Sequence, residues 1–237
     1  MQTSENIVLL AAGLGTRMKS KMAKVLHRAG GMPLVEHAVR TALELAPAER
    51  IVVVVGHQSD KVRAVLAPYG VQFAEQKEQK GTGHALLCAR EALAGRDGLL
   101  LTLYGDCPLL EAATLRKLIE TQQGADSAAT LITTCLDDPT GYGRILKDAE
   151  GNIAAIVEQK AATAEQLAIR EINSGIYCFR ADLVWKHIGE IHPDNPAQEY
   201  YLTDLVEIFR RVGHSVGTMH VEDPGELLGI NTRVDLA

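Results

Sequence analysis

Three apolar runs of strand length, Ile7–Ala12, Ile51–Val55 and Leu99–Tyr104, each give way to a polar or glycine-containing turn and then to a segment of helical period. That alternation predicts βαβ units on a parallel sheet. The first helix is expected to begin with Pro33 at N1, its apolar positions Leu34, Val35, Ala38, Val39, Ala42, Leu43 and Ala46 forming one stripe. Ser59–Leu66, Gly83–Ala94 and Ala112–Gln122 read as further crossover helices. The run IVVVV has no polar position, as a strand covered on both faces requires.

The pattern changes after about residue 125. Ala128–Cys135, Gly143–Leu146, Ile153–Glu158 and Ile172–Phe179 read as strands of a more antiparallel region, followed by helices over Ala181–Ile191 and Thr203–Val212 and a last strand over Ser215–Val221. No low-complexity linker or internal repeat separates the two regions, so they are expected to share one continuous core. The 237 residues are 46% hydrophobic and 23% charged, enough apolar material for that core without disulfides or a structural metal.

Charge and chemistry narrow the classes. Lys and Arg number 24 against 30 Asp and Glu, a formal charge of −6 that argues against nonspecific nucleic-acid binding, and aromatic residues at 4% supply few base-stacking surfaces. Any phosphate site must be local. Cys88, Cys107, Cys135 and Cys178 have no C-x-x-C spacing, which fits reduced thiols in a cytoplasmic protein. The apolar run at Ile7–Ala12 is too short for a secretory segment or a membrane span and has no basic residue before it.

The strongest local signal is LLAAGLGTRMKSKMAKVL, residues 9–26, a buried strand entering a glycine-rich basic loop. The Walker A and dinucleotide patterns both fail at Met18, where each needs glycine. What remains is a loop whose small residues Ala11, Ala12, Gly13 and Gly15 let backbone N–H groups approach a nucleotide, with Arg17, Lys19, Lys21 and Lys24 clustered behind them. A solvated basic turn is the plain alternative. The second signal is Asp106, a carboxylate at the carboxyl end of the run ending in Tyr104 and Gly105, where open α/β sheets bind ligands. It is a candidate Mg²⁺ ligand, or else a cap for the helix beyond Pro108.

These motifs occur in order with Q-x-x-x-x-G-T-G-H-A (Gln76–Ala85), D-P-T-G-Y-G-R-I (Asp138–Ile145), I-V-E-x-K (Ile156–Lys160), E-I-N-S-G-I-Y (Glu171–Tyr177), E-Y-Y-L-T-D (Glu199–Asp204) and G-I-N-T-R (Gly229–Arg233). From Asn6 to Leu236 the chain resembles the N-terminal uridylyltransferase domain of the bacterial bifunctional GlmU family, whose members are N-acetylglucosamine-1-phosphate uridylyltransferases and glucosamine-1-phosphate acetyltransferases. The resemblance implies a Rossmann-like nucleotide-diphospho-sugar transferase fold: α/β, with a mixed, mainly parallel sheet and a small sugar-binding lobe. It implies one pyrophosphorylase domain over 1–237, with a nucleotide-binding half over about 1–125 and a sugar-binding half over about 126–237.

The implied reaction is in-line attack by the phosphate oxygen of N-acetyl-α-D-glucosamine 1-phosphate on the α-phosphorus of UTP, giving UDP-N-acetylglucosamine and pyrophosphate for peptidoglycan and lipopolysaccharide synthesis. The resemblance implies Arg17 and Lys24 as the catalytic cations and Asp106 and Asn231 as the ligands of Mg²⁺. It gives the nucleotide to Leu10, Ala11, Ala12, Gly13, Gly15, Lys24, Gln76, Gly81 and Thr82, and the sugar side to Tyr104, Gly105, Gly143, Glu158, Asn173 and Asn231. An amide such as Gln76 can both donate to and accept from a base edge. Asn173 tying down its own strand and Glu158 as a surface carboxylate are the plainer readings of those two residues. His84 is read as packing or hydrogen bonding behind the uracil loop, since phosphoryl transfer needs no proton relay.

Related readings stay open: a sibling nucleotidyltransferase for another nucleotide or sugar, or a non-catalytic nucleotide-sugar-binding domain. The intact Arg17, Lys24, Asp106 and Asn231 set favours turnover. Three positions depart from the family pattern. Ala23 stands where many members have proline before the lysine, Gly30-Gly31-Met32 carries a second glycine, and Cys107 replaces an apolar residue. Loss of the proline is expected to loosen the loop. Full-length members are trimers through a C-terminal acetyltransferase β-helix of hexapeptide repeats. No hexapeptide period occurs here, so this chain is expected to uridylylate without acetylating and to be mainly monomeric in dilute solution.

Overall fold

The computed structural model describes residues 5–236; residues 1–4 and 237, included in the expected 1–237 span, lie outside it. In chain order the elements are β1 (Glu5–Ala11), β2 (Arg28–Ala29), β3 (Met32–Pro33), α1 (Leu34–Leu43), β4 (Ile51–Val55), α2 (Ser59–Leu66), β5 (Gln72–Glu75), α3 (Thr82–Cys88), β6 (Leu99–Tyr104), α4 (Ala112–Gly124), β7 (Ala129–Cys135), β8 (Arg144–Lys147), β9 (Ile153–Val157), α5 (Ala164–Leu167), β10 (Glu171–Arg180), α6 (Ala181–His187), α7 (Asp204–Arg211) and β11 (Val216–His220). Nine strands form one sheet in the order β11-β7-β10-β6-β1-β4-β5, with β8 attached to β10 and β9 to β8. The architecture is the mixed, Rossmann-like α/β fold that the pattern and the resemblance imply.

The strands β6, β1, β4 and β5 are parallel, with Ile7–Ala11 in register with Ile51–Val55 and Glu5–Leu10 with Leu99–Tyr104. Between β6 and β7 runs β10, antiparallel to both, so the later strands extend the first sheet. The chain leaves β1 toward β4 on one side and later returns as β6 on the other. The loop after β1 therefore opens at a topological switch point, at the carboxyl ends of the parallel strands, where ligands of such sheets bind.

The single continuous core expected from the sequence is in fact two, because side chains alternate across a strand and the sheet divides them. Ile7, Leu9, Val53 and Val55 pack with Val35 and Val39 of α1, Leu66 of α2 and Leu115 and Leu118 of α4 on one face. On the other, Val8, Leu10, Val52 and Val54 pack with Leu86 of α3, Val184 of α6 and Leu205 and Phe209 of α7. Both layers draw residues from both halves of the chain: Ile132, Ile176 and Met219 join the first, and Leu131, Phe179 and Val216 the second.

Other expectations need correction. Pro33 precedes α1 instead of opening it: its ψ of 142° is extended because it pairs with Arg28 in the β2–β3 hairpin. That hairpin turns on Gly30 and Gly31, at φ of 57° and 85°, so the second glycine satisfies a turn that needs positive φ twice. The helix expected over Gly83–Ala94 ends at Cys88 and continues as tighter turns in which Ala89, Arg90 and Ala94 donate three residues back. The strand β5 was not foreseen, since QFAE is short and half polar.

Phe209 is fully buried, edge-on to Phe179 with ring centroids 6.3 Å apart and to His187 at 6.1 Å. Phe209→Ala should destabilise the chain by about 3–5 kcal/mol through the cavity it leaves. Urea unfolding should show a lower midpoint at unchanged slope.

Candidate active site

The loop leaving β1 is shaped by two glycines and a buried methionine. A Cβ on Gly13 would meet nothing within 4 Å, which leaves its backbone open to the adjoining cavity. Gly15 has φ of 61°, and a Cβ there would lie 2.5 Å from the Cβ of Lys24, so only glycine lets the two strands of the loop touch. Met18 is 1% exposed and pins the single turn Thr16–Met18 to the body, which explains the residue that broke both standard nucleotide patterns.

Ala23 keeps the geometry that a proline would impose, with φ of −56°, and its free N–H donates to Gln58 Oε1 at 3.1 Å. Gln58 in turn donates to the Lys21 carbonyl at 2.7 Å. The loosening expected from the missing proline is thus met by a side-chain clamp that proline, without an N–H, could not accept.

The basic cluster divides. Lys24 Nζ pairs with the buried Asp106 carboxylate and donates to Asn231 Oδ1 at 3.0 Å, while Arg17 Nη2 donates to the same Asn231 oxygen at 2.9 Å. Lys19 and Lys21 are exposed and line neither neighbouring cavity. The reading of four clustered cations is corrected to two. Asp106 is no helix cap either, since α4 begins at Ala112 with Glu111 before it.

The segment carrying Asn231 is docked on the end of β6. Ile230 N donates to the Asp106 carbonyl at 2.9 Å, and a Cβ on Gly229 would lie 3.4 Å from the Asp106 carboxylate. Asp235 ties the turn by accepting from the N–H groups of Asn231 at 2.9 Å and Thr232 at 3.0 Å. Burial works against that charge, but these hydrogen bonds outweigh it and hold the Asp235 carboxyl below its ordinary range.

Two cavities meet at this cluster. One, of about 430 Å³, is lined by the β1 loop from Leu10 to Thr16, by Gln76, Gly81 and Thr82, and by Glu199. The other, of about 230 Å³, is lined by Arg17, Gly143, Glu158, Asn173 and Asn231. Lys24, Tyr104 and Asp106 line both. Gly105 lies beneath them, its N–H donating to the Leu10 carbonyl at 3.0 Å and a Cβ there lying 3.2 Å from that of Ala11.

A bulge in β10 builds the second cavity. Between Asn173 and Tyr177 the register against β7 shifts, and Gly175 takes φ of 82° where a Cβ would lie 2.2 Å from the Tyr104 ring. Asn173 Oδ1 accepts from Gly175 N at 2.9 Å, so Asn173 both ties its own strand and lines the cavity. Burial raises the Glu158 carboxyl, a hydrogen bond from Thr203 Oγ1 at 3.4 Å opposes that, and Glu199 adds to it. Glu158 is half-buried, not a surface carboxylate.

On the first cavity's wall Gln76 is 3% exposed. Its Nε2 lies 3.0 Å from the Gly81 carbonyl and 3.0 Å from His84 Nδ1. Gly81 is backed by the Glu199–Asp204 motif: Tyr200 N donates to Lys80 O, Gly83 N donates to Tyr200 O, and Leu202 N donates to Thr82 Oγ1, each within 3.0 Å. Reasoning from sequence missed Gln79, Tyr142, Ser174, Gly175 and Gly229 as lining residues. All five fall inside quoted motifs, Gln79 at a position that the motif leaves open and that gave no signal of its own.

Comparison with known proteins agrees with this geometry. The family model described as MobA-like NTP transferase domain matches residues 7–168. The chain belongs to this NTP transferase family. It is 60% identical over 231 residues to the bifunctional protein GlmU of Solibacter usitatus, an alignment covering 98% of this chain and 50% of that protein. Against GlmU of Geotalea daltonii identity is 46% over 231 residues, covering 97% and 50%. The chain thus spans about half the length of these relatives. A putative glucose-1-phosphate thymidylyltransferase from Bacillus anthracis shares the fold at a TM-score of 0.75 and 22% identity, covering 98% of this chain and 92% of that one. Among the described residues no helix is long and apolar enough to cross a membrane.

The second cavity has an acidic flank beyond Glu158. Burial first, then Glu207 and Glu158, push the Asp204 carboxyl up to about 6, against the pull of its place at the start of α7. A raised folded value means that Asp204 contributes stability below about pH 4 that is lost as pH rises through about 6. Asp204→Asn should therefore match the parent at pH 4 and exceed it at pH 7 by about 1 kcal/mol, after allowance for solvent screening. Urea unfolding at the two pH values measures the difference.

Proposed function

We propose that this domain transfers UMP from UTP to N-acetyl-α-D-glucosamine 1-phosphate, giving UDP-N-acetylglucosamine and pyrophosphate in the cytoplasm. The observation that carries the reading is the pair of cavities meeting at Lys24, Tyr104 and Asp106. The nucleotide fits the larger cavity, on the half over about residues 1–125, and the sugar phosphate the smaller, mainly on the later half. The identity to the GlmU relatives over nearly all of this chain supports the same choice of substrates.

Asp106 and Asn231 suit Mg²⁺. Their carboxylate and amide oxygens already bind one ammonium between them, and a hard divalent cation takes one or two such protein oxygens along with water and phosphate. When bound there, Mg²⁺ supplies charge neutralisation on the phosphates. The protein's own residues do the rest by position. The β1 loop, with Gly13 and Gly15, offers backbone N–H groups to the triphosphate, and Lys24 and Arg17 face the charge that spreads onto phosphate oxygens as the α-phosphorus is attacked. Gly143, Glu158 and Asn173 hold hydroxyl and acetamido groups of the sugar, so that its phosphate oxygen stands in line with the leaving pyrophosphate. No protein nucleophile takes part.

A pyrophosphate-release assay over UTP, dTTP, GTP and CTP with several sugar 1-phosphates should select UTP with N-acetylglucosamine 1-phosphate. Preference for dTTP with glucose 1-phosphate would replace this reading with that of a sibling transferase, and binding without release with that of a nucleotide-sugar sensor. Asp106→Asn should nearly abolish Mg²⁺-dependent turnover and leave the far-ultraviolet dichroism unchanged. Lys24→Ala should lower turnover strongly and Lys19→Ala only slightly; equal effects would mean that the solvent-facing lysine shares the role.

A further inference from the structure

Gln76 can face a base in one sense only. The Gly81 carbonyl has no hydrogen to give, so the Gln76 group 3.0 Å from it must be the NH₂. The second hydrogen of that NH₂ points to His84 Nδ1 at 3.0 Å, which must then accept, leaving the ring proton on Nε2. Both donors are thereby spent inside the protein. What Gln76 offers the cavity it lines is Oε1, an acceptor. The Gly81 carbonyl is itself held in place, since the Ala85 N–H of α3 donates to it at 3.0 Å.

We propose that His84, as the neutral Nε2–H tautomer, is a positioning residue that holds the Gln76 carboxamide as an acceptor-only reader of the nucleotide base. The inference rests on the uridylyl-transfer reading for its ligand. Uracil presents an N3–H to such an acceptor, whereas cytosine presents a lone pair at the same ring position. A proton on His84 Nδ1 would set donor against donor. The amide has no escape by flipping, because Oε1 would then meet the Gly81 carbonyl.

The ring's surroundings carry few competing charges. The Glu78 carboxylate, on the loop before α3, is within electrostatic range of His84 but is paired with Lys80 Nζ at 2.7 Å. From the segment packed across Gly81, Tyr200 lies tilted with its ring centroid 6.3 Å from that of His84, and Glu199 faces the cavity. On its own helix the titratable neighbour is Cys88, one turn on, whose thiol burial pushes up.

Long-range ¹H–¹⁵N correlation on the nucleotide-free protein at pH 7.5 reads the tautomer directly, and should find Nδ1 unprotonated and Nε2 carrying the proton. Calorimetric titration with UTP and CTP at pH 7.5 then tests the consequence. His84→Asn keeps an acceptor near Nδ1, so its UTP affinity should stay close to the parent's. His84→Leu should weaken UTP about fivefold at pH 7.5, the worth of one neutral hydrogen bond, and narrow the preference over CTP. An Nδ1–H tautomer, or equal losses of UTP affinity in His84→Asn and His84→Leu, would overturn the proposal. If neither nucleotide bound, the uridylyl reading would fail while the tautomer measurement still decided the placement of the amide.

Discussion

An ammonium group held between a carboxylate and an amide oxygen is the point on which the rest of the site converges. Asp106 comes from the end of β6, Lys24 from the far side of the β1 loop and Asn231 from a segment near the end of the described chain. Each would carry an uncompensated charge or dipole at this half-buried position without the others. The supporting features follow from that requirement. Gly15 lets the loop close on Lys24, Gln58 holds the turn before it, Gly229 admits the returning segment against Asp106, and Asp235 fixes the amide that completes the set. The charges of this cluster are thus set in place by the fold itself.

The unbroken sheet makes this convergence possible. With β10 hydrogen-bonded to both β6 and β7, the wall of the smaller cavity is tied through the sheet to the strand that leads into Asp106. The two cores on opposite faces each cross the boundary between the halves, so the cavities cannot drift apart without breaking both layers. Beside the smaller cavity this frame gives way at the register shift of Asn173–Tyr177, where Gly175 receives the Tyr104 ring.

The sheet of the first half was legible because buried parallel strands are apolar on both faces. β1, β4 and β6 lie within two residues of their apolar runs, and α1, α2 and α4 follow the 3.6-residue stripe. The strand β5 carries too little apolar signal to stand out from a loop, and the tight turns after Cys88 share the helical period without the helical bonds. Within the site, Arg17, Lys24, Asp106 and Asn231 follow from the family resemblance, since spacing alone cannot bring residue 231 to residue 106. Lys19 and Lys21 were grouped with Lys24 by sequence proximity, and the left-handed turn at Lys19, with φ of 47°, sends the chain out to solvent instead. A bulge adds residues without disturbing the period-2 pattern on either side, which is why Ser174 and Gly175 passed as ordinary strand.

The place of β10 in the sheet also has a consequence for the birth of the molecule. Strands β1, β4, β5 and β6 can pair as soon as they leave the ribosome, but the outer edge of β6 has no partner until residues 171–180 have been made. At a synthesis rate of about 5–20 residues per second that edge stays open for several seconds, an apolar strand with unsatisfied backbone groups of the kind that recruits other chains. The amide of Asn231 arrives later still. A nascent chain thus passes through a stage in which its first strands are sticky along one edge and both core layers are still incomplete, a target for chaperones that shield exposed strands.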